Sequence, residues 1–133
     1  MRNHEDLEVW QKAYVLTIRL YRLTESFPRS EMFGLTSQIR RAAGSIGANL
    51  AEGCGRWSDG EMARFVQIAM GSAGELQNHL RLAGDLGFLG SSDYRCASKE
   101  LTSVRQMLTA FLQSLRGTRT VRKTAADFLA KSE

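Results

Sequence analysis

The chain has 133 residues, enough for one domain with a core of its own, and its 43% hydrophobic and 24% charged residues are ordinary for a globular protein. Its formal net charge of +4 is spread thinly, without the dense basic stripe of a dedicated nucleic-acid binder. No apolar run approaches the roughly 20 residues that span a membrane. The charged start MRNHEDLEVW lacks the apolar segment of a secretion signal, and Cys54 and Cys96 have neither CxxC spacing nor histidine neighbours, so a reduced, cytoplasmic setting is expected.

A single proline, Pro28, and few β-branched runs favour an all-helical chain. The first helix is predicted over residues 5 to about 26. Val9, Ala13, Leu16, Leu20, Leu23 and Phe27 recur every three or four residues, and Leu7, Trp10, Tyr14, Ile18 and Tyr21 form a second apolar line beside them. One stripe suffices to dock a helix on a bundle. Two stripes with large aromatics imply a wide buried face or a second interface. Phe27-Pro28 ends the helix, because proline disfavours α geometry in the residue before it, and PRSEMFG is a connector with room for one helical turn.

The second helix, Leu35 to Glu52, has three faces. Leu35, Ile39, Ala43, Ile46 and Leu50 are its apolar stripe, and Arg40, Gly44, Gly47 and Ala51 form a line nearly bare of side chains. Gln38, Arg41, Ser45, Asn49 and Glu52 are polar. A glycine in a helix interior costs about 1 kcal/mol relative to alanine, so the bare line points to a close neighbour, and Gly47→Leu is expected to force that neighbour away.

Gly53, Gly55 and Ser58 break this helix, and Ser58 with Glu61 is a capping box that starts the third, which runs to about Leu86. Met62, Val66, Ala69, Ala73, Leu76, Leu80, Ala83 and Gly87 alternate by four and three along it. Gly87, Gly90 and Ser91-Ser92-Asp93 stop it and cap the fourth, whose stripe Tyr94, Ala97, Leu101, Val104, Leu108, Phe111 and Leu115 continues to about Arg116. Short loops and heptad-like seams specify an up-down-up-down antiparallel four-helix bundle over residues 1–116. Residues 117–133 form a polar tail with one short amphipathic pattern, Val121, Ala125, Phe128 and Leu129, open to disorder or to docking on a neighbour.

Chemistry is sparse. His79 shares a helix face with Ser72 and Glu75, which admits an acid–base pair of Glu75 and His79 but equally a polar edge beside the core. The Glu-x-x-His spacing of bundle di-metal sites is absent, and Gly53-x-Gly55 follows no strand, so neither a metal nor a cofactor is expected. The polar line on the second helix supports three readings. It can be a solvated face. It can be a hydrogen-bonded seam in which Gln38, Arg41, Ser45, Asn49 and Glu52 meet Ser72 and Glu75, with Arg41 paired to Glu75. Or Arg40, Arg41 and Arg56 can face phosphates. Trp57 beside Arg56 is either a stacking platform for a base or a hydrophobe that anchors the loop.

Two stretches carry a resemblance: LEVWQKAYVL, and FPRSEMFGLTSQIRRAAGSIGANLAEGCGRWSDGEMARFVQIAMGSAGEL. Over about residues 5–116 they resemble the four-helix bundle proteins encoded in intervening sequences of bacterial 23S ribosomal RNA, a family related to the accessory variability determinant of diversity-generating retroelements. Gln38, Arg40, Arg41, Ala42, Ser45, Ile46, Asn49, Ala51, Glu52, Gly53, Ser72 and Glu75 stand where the family pattern has them. The resemblance implies a bundle that assembles into a homopentamer with a mostly unassigned biochemical role, and it transfers no catalytic residues. Its retroelement relatives bind nucleic acid and a reverse transcriptase, so RNA or DNA and a reverse transcriptase are the partners implied beyond a second copy. The residues themselves indicate a non-enzymatic, oligomeric protein, with a docking scaffold and an enzyme built on Glu75 and His79 as the alternatives.

Overall fold

The structure is a computed structural model that describes the backbone of residues 1–132 and side chains through residue 117. Its described residues form four α-helices: α1 (Glu8–Thr24), α2 (Leu35–Cys54), α3 (Asp59–Asp85) and α4 (Ser91–Ser132). Short 3-10 turns lie at His4–Asp6 and Arg29–Glu31. Each helix packs on the next, and α4 closes the square against α1. This is the all-α four-helix bundle that the periodicity specifies.

The predicted stripes meet at the centre. Leu16 and Leu20 of α1, Ile39, Ile46 and Leu50 of α2, Met62, Val66, Leu76 and Leu80 of α3, and Leu101, Val104 and Leu108 of α4 are all fully buried. Each such side chain contributes about 1.5–3 kcal/mol by leaving water. Alanines at 43, 69, 73, 83 and 97 sit between them and let the helices approach.

The boundaries show what local chemistry adds. Helix α1 begins at Glu8 rather than residue 5, because Asn3 accepts from the Glu5 N–H (3.1 Å) and holds a separate 3-10 turn first. It ends at Thr24, whose buried hydroxyl donates back to the Leu20 carbonyl at 2.7 Å. Helix α2 runs through Gly53 and Cys54 before the chain turns, with Gly55 N–H donating to Glu52 O at 3.1 Å. Gly53 stays helical because α3 crosses there. A Cβ on it would lie 2.8 Å from Met62 Sδ and 2.9 Å from Phe65 Cβ. Ser58 caps α3 by accepting from the Glu61 N–H at 3.2 Å, and Gly87 supplies the one positive φ, +78°, among the described residues.

At the other terminus α4 continues past Arg116 to Ser132. The amphipathic pattern Val121, Ala125, Phe128 and Leu129 lies beyond the described side chains. Among the described residues no helix is long and apolar enough to cross a membrane.

Candidate functional site

The polar line of α2 divides. Ser45 and Ser72 lie hydroxyl to hydroxyl at 2.8 Å and tie α2 to α3, while the Asn49 amide donates to Ser45 O at 2.8 Å and to Ser45 Oγ at 3.0 Å. Gln38, Arg41, Glu52 and Glu75 stay outside this knot and are exposed. The expected Arg41–Glu75 pair is not formed: Glu75 Oε1 instead lies 3.2 Å from Nε2 of His79, one turn along its own helix. Two exposed charges gain little by meeting across helices, and Glu75 reaches an i,i+4 partner without ordering a second long side chain. Since Arg41 does not join them, Glu75 and His79 remain a two-member contact on a helix surface.

The four residues considered for phosphate contact are also separated. Arg40 is engaged internally, with Nε donating to Thr24 Oγ1 at 2.9 Å, a terminal N–H donating to Tyr21 O at 3.2 Å, and its guanidinium 4.8 Å from the Tyr21 ring centroid. It holds the carbonyl end of α1, where a cation is favoured. Arg56 pairs with Glu52 at 2.7 Å and lies 5.1 Å from the Phe65 ring centroid. At 1.5 Å rise per residue, about 21 Å of α2 separates Arg40 from Cys54, and Arg56 lies in the turn beyond it. Arg41 is exposed. Trp57 is 84% exposed, so it does not anchor its loop.

A different surface stands out. The second stripe of α1 splits in two. Leu7 and Trp10 pack against the core. Gly47 lies beneath Trp10, since a Cβ there would be 3.4 Å from the indole Nε1. So the bare line of α2 receives a side chain rather than a second backbone, and Gly44 faces nothing within 4 Å. Higher on the helix, Tyr14, Val15, Ile18 and Tyr21 are 52%, 57%, 37% and 45% exposed. Trp10 stacks on Tyr14 with centroids 5.0 Å apart, fixing that ring at the edge of the core.

Tyr14, Val15, Ile18, Arg19, Arg22 and Leu23 line a shallow trough of about 420 Å³. Arg19 is held at its rim by Glu100 of α4 at 2.8 Å, and that contact raises the guanidinium pKa further above its ordinary value. Val15 belongs to neither predicted stripe. It was legible only as an apolar residue left over once both stripes were assigned.

The other overlooked residue is Phe33, 94% exposed beside Met32 at 52%. Glu31 folds back to accept from the Leu35 N–H at 3.1 Å, capping α2. Gly34 leaves it room, because a Cβ there would meet Glu31 Oε2 at 2.8 Å. The turn is closed by Met32 N–H donating to Arg29 O (3.1 Å) and Gly34 N–H to Glu31 O (3.0 Å).

With this geometry in view, the sequence matches the 23S rRNA-intervening sequence proteins over residues 5–110. The chain belongs to that family. The match spans α1, α2 and α3 and stops within α4. Among solved structures, it is similar to a crystal structure described as a protein of unknown function from the S23 ribosomal protein family of Bacteroides thetaiotaomicron. That likeness has a TM-score of 0.73 at 23% identity over 79% of this chain and 95% of that one, which shows the shared fold. No curated protein matches this 23S rRNA-intervening sequence family member.

Proposed function

We propose that this family member is a cytoplasmic, non-enzymatic bundle that works by assembling with copies of itself through the outward face of α1. The observation that carries this reading is the contiguous set Tyr14, Val15, Ile18 and Tyr21, all more than a third exposed on a helix whose opposite face is the core. Large contiguous apolar patches on a soluble protein mark interaction sites. The aromatic and arginine content of this patch is what interface centres favour. A ring of five is the count that the family resemblance implies. Multi-angle light scattering at micromolar concentration is expected to give an oligomer, and Ile18→Glu, which places a charge in the patch, is expected to give a monomer with unchanged helicity. A monomer mass for the unaltered chain would overturn the reading.

A second reading is favoured by Trp57. An exposed indole next to Arg56 offers a stacking surface for an unpaired base. It has weaker support, because Glu52 already holds Arg56 and Arg40 is spent on α1. Filter binding of RNA and DNA across a salt series tests it. Retention that weakens with salt and falls in Trp57→Ala would sustain it, and no retention at low salt would remove it.

A further inference from the structure

We infer that the trough on α1 receives the Met32–Phe33 turn of a neighbouring copy, so that assembly is head-to-tail. This rests on the self-association reading and says which surface meets which. The chain presents two apolar features of opposite shape. One is the trough walled by Tyr14, Val15, Ile18 and Leu23. The other is the turn carrying Phe33, 94% exposed. The turn is preorganised: Glu31 is committed to the α2 N-terminus and the backbone is closed at two further hydrogen bonds, so Phe33 can dock without first being ordered.

Charge agrees with shape. Glu100 holds Arg19 and Glu31 caps α2, so the charges left to meet across the contact are the exposed Arg22 at the trough and Glu25 on the segment leading to the knob. Position agrees as well. The trough runs from the middle of α1 toward its end, and the turn follows that end, so both lie toward the same end of the bundle. A rotation about an axis roughly parallel to the helices keeps both at one end of the assembly, the turn lying about 12 Å beyond the level where Thr17 meets Ala43, so a neighbour tilted or shifted along that axis can seat it. A two-fold axis perpendicular to the helices would put them at opposite ends. Two distinct surfaces on every copy make a heterologous contact, which closes into a ring when the rotation allows.

The test mixes two variants. Phe33→Asp removes the knob and leaves the trough; Ile18→Glu spoils the trough and leaves the knob. Both positions are exposed, and circular dichroism checks that each variant keeps its helicity. Each alone is expected to sediment as a monomer. Mixed at equal concentration, they are expected to form a dimer and nothing larger, since one intact knob and one intact trough remain. If Phe33→Asp assembles like the unaltered chain while Ile18→Glu does not, the α1 interface stands and the knob is overturned. A mixture that stays monomeric also overturns the knob. If neither variant changes the assembly, both readings fall.

Discussion

Gly44 and Gly53 lie in the same helix and answer oppositely to the same substitution. A methyl at Gly44 meets nothing within 4 Å, so Gly44→Ala keeps the helix-propensity gain and is expected to stabilise the fold by about 0.4–1 kcal/mol. A methyl at Gly53 would sit 2.9 Å from Phe65 Cβ, an atom close to the α3 backbone that cannot swing aside. Overpacking costs about 1–3 kcal/mol, so Gly53→Ala is expected to lose stability despite the same propensity gain. Urea melts of both variants in the Ile18→Glu background keep association out of the comparison. The glycines were visible in the sequence as a bare line, but which of them has a neighbour was not. Gly47 answers to Trp10, a residue far away in the chain. The polar line behaved likewise. Ser45, Asn49 and Ser72 are short and had to be satisfied near the backbone, whereas Arg41 and Glu75 are long enough to remain in water. Sequence position put both sets on one face, and side-chain reach separated them.

Between elements, Arg40 bridges α1 and α2 at one end of their contact. Arg40 grips Thr24 and the Tyr21 carbonyl, two groups at the C-terminal end of α1. Arg40→Ala removes charge-assisted hydrogen bonds and leaves the buried Thr24 hydroxyl with its own helix alone. A loss of about 1–2 kcal/mol is expected in thermal or urea unfolding, discounted from the value for a fully buried charged bond because Arg40 is only partly buried. Lysine, a point charge without the planar fork, is expected to recover only part of it. Helices themselves were legible because heptad spacing reports a buried face directly. Their ends were less so, since the first 3-10 turn depends on the Asn3 cap and the Gly53–Cys54 extension on the α3 crossing, neither of which periodicity records, and α4 runs on to Ser132 past the last residue of its apolar stripe.

At the level of the whole molecule, the bundle was legible and its outer surface was not. A second apolar stripe announced that α1 meets something twice. Only the packing shows that Leu7 and Trp10 are satisfied internally while Tyr14, Val15, Ile18 and Tyr21 are left over. If those residues are covered by another copy, folding and association share free energy, and the melting temperature rises with protein concentration by mass action. Calorimetry over a hundredfold concentration range is expected to show that rise in the unaltered chain and a flat response in Ile18→Glu. The order of contacts along the chain carries one more consequence, for kinetics. Helices α1–α2, α2–α3 and α3–α4 meet across short turns, but the α1–α4 seam, bridged by Arg19 and Glu100, joins the two ends of the bundle. Arg19 and Glu100 lie far apart in the chain, and closing so long a loop costs more chain entropy than closing any of the three short turns. That seam is therefore the last to zip and the first to breathe, and its opening leaves α1 held on α2 by Arg40, Thr17 and Trp10. The amides of α1 and α4 should then exchange with deuterium before those of α2 and α3, which share the most extensive contact in the bundle.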